Sequence, residues 1–151
     1  MTASSYSLNE LPQLVGQELG TSDWVDVDQS RIDAFAQVTG DHQWIHVDVQ
    51  RAKAGPFGST IAHGYLTLSL LPCMVASAFN LRDSRMGVNY GLNRVRFPIP
   101  VPAGSRLRGH FKLLACDAIE GGVQLIIEAR IERQGSDKPA CVAELVARRY
   151  G

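Results

Sequence analysis

Two segments of the chain carry side chains that could exchange protons. The first reads Thr-Gly-Asp-His-Gln-Trp-Ile-His and places Asp41 five residues before His46. That spacing separates two side chains around a helix and puts them on opposite faces of a strand. Asp41 and His46 can therefore meet only if the segment folds back as an irregular loop, which the freedom of Gly40 permits. A carboxylate and an imidazole that meet are suited to general acid–base chemistry.

The second segment is Ile61–Tyr65, which reads Ile-Ala-His-Gly-Tyr and stands just ahead of a long apolar run. If a helix begins at Gly64, its first amides have no partner inside the helix and can donate to an oxygen that gains charge. We interpret His63 as a helix-start residue rather than a proton carrier. Asp41 alone is more typical of a loop or turn, but its pairing with His46 reverses that and favours catalysis. The pattern predicts an active site made of Asp41, His46 and the Gly64 amide.

The elements that must position these residues follow from hydrophobic spacing. Residues 1–7 are polar and expected to be loose. A short helix is expected over 8–15, with Ser7 or Asn9 as its cap, and a strand over 21–27. A helix capped by Asp28 or Ser30 should follow and end at Gly40.

The apolar run 65–79 predicts a helix with apolar residues on every face, which should be surrounded by protein. Pro72 should kink this helix. Four strands are then expected, over 86–97, 105–117, 123–133 and 140–150. With short connections they should be neighbours in a meander. The sequence therefore predicts an α+β fold in which an antiparallel sheet wraps a long central helix.

Composition bounds the functional classes. The 151 residues are 45% hydrophobic, and 15 basic residues balance 15 acidic ones, so nucleic acid or an anionic membrane is not an indicated partner. The longest apolar stretch is shorter than a bilayer span. Cys73, Cys116 and Cys141 are far apart with no CxxC, which argues against a disulfide framework or a zinc site and indicates a cytoplasmic protein. We expect one domain over 1–151, with residues 1–19 as an N-terminal extension, and neither a metal nor a cofactor.

The motifs resemble the MaoC-like family of hot dog fold proteins, which includes R-specific enoyl-CoA hydratases. The resemblance is carried by Phe35-Ala-Gln-Val-Thr-Gly-Asp41, by His46, by Ile61-Ala-His-Gly64 and by Asn93-Arg-Val-Arg-Phe-Pro98. The wording from Gly40 to His46 is most similar to a branch called nodulation-protein-N-like. Two features depart from the family pattern. Gln43 and Trp44 stand where an Asn-Pro pair is common, and by our spacing Pro72 occupies the position of a serine found in some members.

The resemblance implies an enzyme that adds water reversibly to a trans-2-enoyl-CoA and gives the R-3-hydroxyacyl product. It also implies a homodimer with acyl-thioester tunnels between the subunits, and no cofactor beyond the thioester itself. Seven residues are the candidates for substrate contact: His63, Tyr65, Trp44, Gln43, Asn89, Arg94 and Arg96. Two alternatives stay open: an acyl-CoA thioesterase, and a non-catalytic acyl-thioester-binding protein, which Trp44 and Pro72 favour.

Overall fold

A computed structural model describes residues 2–151 and shows eight strands and five α-helices within them. The strands are β1 (Ser4–Tyr6), β2 (Glu18–Thr21), β3 (Val25–Val27), β4 (Phe79–Leu81), β5 (Met86–Arg96), β6 (Ser105–Ile119), β7 (Gly122–Arg133) and β8 (Pro139–Tyr150). The helices are α1 (Gln29–Thr39), α2 (Trp44–Val47), α3 (Val49–Lys53), α4 (Gly64–Ser69) and α5 (Leu71–Ala78). The predicted α+β class is confirmed.

The main sheet is antiparallel, with the strand order β2-β6-β7-β8-β5 and with β3 also paired to β6. The meander β6-β7-β8 agrees with the prediction, but the expected pairing of β5 with β6 is wrong because β5 lies at the opposite edge, on β8. The connection after β5 contains Pro98, Pro100 and Pro102. Proline fixes its own φ and donates no hydrogen bond, so this segment does not form a hairpin and instead carries the chain across the sheet to β6.

The N-terminal half differs from the predictions in two places. The single strand expected over 21–27 is interrupted, because the Ser22 hydroxyl accepts the Gly109 N–H at 2.8 Å in place of a backbone acceptor. Residues 4–6 are not loose but pair in parallel with β4, and the Tyr6 hydroxyl donates to the Leu19 carbonyl at 2.8 Å. The expected short helix is a 3-10 helix over Leu8–Leu14, and Ser7 caps it.

The predicted central helix is two short helices that meet at Leu70, and Pro72 lies in the first turn of α5. A proline is tolerated there because the first amides of a helix lack intrahelical partners. Leu66, Leu71 and Met74 are buried, and the two helices contact strands β8 and β6 of the sheet. The opposite side is open in this chain, where Tyr65 is 71% exposed, so the expected burial on every face is wrong for the chain by itself.

None of the helices in the described part of the chain combines the length and the apolarity that a membrane span would need.

Candidate active site

Asp41 leaves α1 at a sharp turn. Asp28 caps the start of this helix by accepting the Arg31 N–H at 2.9 Å, and Gly40 ends it with a positive φ of 81°. Glycine is favoured there because the left-handed region strains other residues. The Asp41 carboxylate accepts the Gln43 N–H at 3.3 Å and its side chain is exposed. Asp41 therefore makes the local turn and presents a carboxylate to solvent.

His46 lies in the one-turn helix α2, so the irregular loop predicted to reach it covers only residues 40–43. The ring is buried, and Nδ1 lies 2.7 Å from the Ile61 carbonyl oxygen. A carbonyl can only accept, so Nδ1 carries the proton of the neutral ring and Nε2 carries the lone pair. The backbone thus fixes the tautomer in which Nε2 can accept a proton.

His63 contacts both Asp41 and His46. It is 2% exposed, and its ring stacks on that of His46 with 3.8 Å between centroids and 21° between planes. Its Nε2 lies 3.0 Å from the Asp41 carbonyl oxygen, to which it donates. His63 therefore holds the Asp41 backbone and one face of the His46 ring, as expected of a residue that packs at a helix start.

The carboxylate of Asp41 and ring nitrogens of His46 and His63 lie within 4.8 Å of one another. The expected meeting of Asp41 and His46 is therefore present, while their catalytic role stays a prediction. The three groups also raise the question of a metal. The two stacked rings are nearly parallel, so the lone pairs of their nitrogens run side by side. They do not point to one common position about 2.1 Å from both nitrogens, as binding of a metal ion would require. The geometry favours proton transfer.

The environment of His46 favours its neutral form. Burial lowers the pKa of His46, and the charge that His63 would carry acts in the same direction, while the Ile61 carbonyl and Asp41 oppose the shift. A neutral imidazole with a free Nε2 is a proton acceptor near neutral pH.

This lowered pKa of His46 predicts a dependence of stability on pH. Because the unfolded state binds more protons than the folded state, this contribution is full above the unfolded pKa of about 6.5. It is lost as the pH falls toward the lower folded pKa of His46. Urea unfolding between pH 5 and 8 should show that the free energy of unfolding falls less with falling pH in His46→Gln than in the wild type. His42→Gln, which removes an exposed imidazole, should keep the wild-type profile, and an unchanged profile in His46→Gln would contradict the assignment.

Gly64 begins α4 directly beside this cluster. Its N–H has no hydrogen-bond partner within residues 2–151, as expected for the first amide of a helix. A β-carbon at this position would lie 3.0 Å from the Phe97 ring. The absence of a side chain therefore lets Phe97 lie against the helix start.

Gln43 and Trp44 build the loop that holds Asp41. Gln43 is the exposed cap of α2. The Trp44 ring is half-buried, with the Arg51 guanidinium 4.2 Å from its centroid and Gly55 packed against its edge. Trp44 thus fastens α2 to the segment that follows, and a role for either residue in binding substrate stays a prediction.

The remaining four candidates do not gather at the pair. Tyr65 is exposed, with its ring edge toward Phe97 at a centroid distance of 6.4 Å. Asn89 lines a cavity beside α4 and α5. Arg94 and Arg96 are exposed on β5. Both side chains face solvent, and a role for either arginine in binding substrate stays a prediction.

Sequence reasoning missed two supporting residues, Gln29 and Thr60. The Gln29 amide donates to the His46 carbonyl at 2.8 Å, and the Thr60 hydroxyl donates to the Gln29 side-chain oxygen at 2.5 Å. Together they tie α2 to α1 and to the strand-like segment before His63. Nothing in the local sequence marks either residue, because their partners are distant in the chain.

Comparison with known proteins agrees with this geometry. A family model described as MaoC-like domain matches residues 10–132. The chain is 48% identical over 143 residues to 3-hydroxyacyl-thioester dehydratase Z of Mycobacterium tuberculosis, covering 94% of this chain and 95% of that protein. It is 49% identical over 144 residues to nodulation protein N of Rhizobium leguminosarum bv. viciae, covering 93% and 89%.

A solved structure, the unliganded R-hydratase PhaJ1 of Pseudomonas aeruginosa, superposes with a TM-score of 0.74 at 23% identity, covering 90% of this chain and 81% of that one. At this identity the likeness shows the hot dog fold alone, as the sequence predicted. The matched family and the 48% identical relative also indicate an activity. The chain belongs to the family of MaoC-like domains and is an enzyme of the dehydratase class.

Proposed function

We propose that this enzyme adds water reversibly to a trans-2-enoyl-CoA and gives the R-3-hydroxyacyl-CoA. The observation that carries the proposal is the meeting of the Asp41 carboxylate with the His46 ring, whose Nε2 is free. The name of the Mycobacterium tuberculosis relative, a 3-hydroxyacyl-thioester dehydratase, supports the same chemistry in the reverse direction.

The reaction needs two proton transfers that these side chains can share. A water molecule loses a proton as its oxygen forms a bond to C3, and a proton is delivered to C2. If Asp41 and His46 polarise the same water, both events occur on one face of the double bond, and the net result is addition of one water. General acid–base catalysis of this kind typically contributes about 10²–10⁴-fold to the rate.

Negative charge also builds on the thioester oxygen while the bond to C3 forms. The Gly64 N–H, unpartnered within residues 2–151, is placed one residue after the His63 ring that stacks on His46. An amide held in position before the reaction stabilises the developing charge without reorganising, and one such donor is worth roughly 3 kcal/mol. Gly64 is therefore assigned the role of donor to the thioester oxygen.

A cavity of about 480 Å³ offers room for the acyl chain. It lies between α4–α5 and strands β5 and β8, and its wall is mostly apolar: Leu68, Leu71, Val75, Leu92 and Leu145 contribute to it. Leu68, the wall residue nearest to Gly64 along the chain, is four residues after it, or about 6 Å along the helix axis. An acyl chain whose thioester lies at Gly64 can extend along the helix into this space.

Incubation with crotonyl-CoA tests the proposal. Hydration removes the absorbance of the enoyl thioester without releasing thiol, whereas a thioesterase releases free CoA. A binding protein without activity would retain CoA esters while turning over no enoyl-CoA of any chain length. The first result supports the proposed function, and either of the other two contradicts it.

We further propose that the working unit is a homodimer. Four large apolar residues of the edge strand β5 are exposed in the single chain: Met86 at 54%, Val88 at 40%, Tyr90 at 58% and Leu92 at 44%. An exposed apolar edge strand is a pairing surface that proteins normally cover. A twofold interface there would place Arg94 and Arg96 near the CoA phosphates of the partner's substrate. Light scattering at micromolar concentration should give a molar mass of twice 16.5 kDa. An active monomer would exclude the shared site.

A further inference from the structure

Arg149 occupies an unusual position on β8. Side chains alternate between the two faces of a strand, and the preceding positions on the face of Arg149 are apolar: Ala143, Leu145 and Ala147. Their partners on β7, Ala129, Ile127 and Leu125, are buried in the core. Arg149 therefore continues a row that faces the central helix, whereas its neighbour Arg148 points to the other face.

The arginine lies at the end of the cavity away from the Asp41–His46 pair. Gly87, near the start of β5, is opposite Arg149, whereas Phe97, just after the end of the same strand, lies against Gly64. The strand thus runs from the arginine toward the helix start at the catalytic pair. From Leu145 to Arg149 the cavity wall extends four residues, about 13 Å.

The guanidinium has no counter-ion within residues 2–151, and the cavity wall contains no acidic side chain. It is more than half buried, and burial lowers the pKa of Arg149. A β-carbon on Gly87 would lie 2.8 Å from Nε of Arg149, so the glycine leaves room for the guanidinium to lie across the strand. Buried arginines are normally paired, because an uncompensated charge in an apolar site is costly.

We propose that Arg149 binds a carboxylate at the far end of the acyl chain, so that the preferred substrates are 2-enoyl thioesters whose chain ends in an acid. The guanidinium matches a carboxylate with two parallel N–H donors. A methyl-terminated chain of the same length leaves the charge unpaired. This inference rests on the proposed hydration and names the class of acyl group that the same site selects.

The test compares two series of 2-enoyl-CoA substrates of matched length, one ending in a carboxylate and one in a methyl group. The wild-type enzyme should show a higher kcat/KM for the acid at the length that reaches Arg149. Arg149→Met removes the charge and keeps an apolar side chain of similar length. It should lower kcat/KM for the acid by about tenfold to a hundredfold, the size expected for a charged hydrogen bond, and raise it for the methyl-terminated substrate.

The matched control is Arg148→Met. The Arg148 guanidinium lies 3.6 Å from the Tyr90 ring centroid and donates to Gln124, on the opposite face of the sheet. This variant should keep the wild-type preference. If methyl-terminated chains are hydrated but Arg149→Met leaves the preference unchanged, the inference fails and the proposed function stands. If no enoyl-CoA is hydrated, the proposed function itself fails. Loss of the dimer in Arg149→Met with no change of preference would show that a carboxylate of the partner subunit pairs with Arg149, and would also overturn the inference.

Discussion

Asp41→Asn and His46→Ala are each expected to lower kcat for crotonyl-CoA by about 10²–10⁴-fold, the contribution of positioned proton transfer. The asparagine keeps the size of the Asp41 side chain and an oxygen that can accept the Gln43 N–H, but it cannot take up a proton. The alanine removes the Nε2 lone pair that the Ile61 carbonyl holds in place. In the proposed mechanism the two groups act on one water, so the double variant should lose little more than the worse single variant.

The controls for this experiment are exposed residues of the same types. Asp117→Asn and His42→Ala change a carboxylate and an imidazole outside the pair, and both should retain wild-type turnover. Circular dichroism and urea unfolding should show that the catalytic variants remain folded. Full activity in either Asp41→Asn or His46→Ala would remove the proposed mechanism.

Removal of the Gly64 N–H is expected to cause the second large loss of kcat. Proline at this position has no N–H, and loss of one donor to a developing oxyanion typically costs about 10²–10³-fold in kcat. The helix should tolerate the change, because proline is favoured at the first helical position. The preceding residue, His63, has φ −59° and ψ 138°, which a following proline accepts.

The added ring would meet Phe97, so the experiment is best made in a Phe97→Ala background. There, Gly64→Ala supplies a β-carbon and keeps the amide, whereas Gly64→Pro removes the amide. The alanine variant should keep the kcat of the background, and the proline variant should lose it with little change in KM. Equal activity of the two would show that another donor holds the thioester oxygen.

The sequence determined which residues could do the chemistry. Local properties were enough to predict three features: Asp41 after Gly40, His46 five residues later, and the helix start at His63–Gly64. These properties are the freedom of glycine, the residue type and the onset of an apolar run. The ends of α1 were predictable for the same reason, since Asp28 and Gly40 cap the helix through contacts within its first and last turns.

Only the tertiary structure decided how those residues are arranged. The tautomer of His46 is set by a carbonyl fifteen residues away, and the stacking of His63 on His46 requires two segments to pack together. The pairing of β5 with β8 rather than β6, and the exposed side of α4–α5, depend on how the whole chain closes. Arg149 likewise became informative only when its row of neighbours and the cavity were seen. Spacing along a chain constrains near neighbours, whereas contacts between distant residues follow from which apolar surfaces the complete fold buries together.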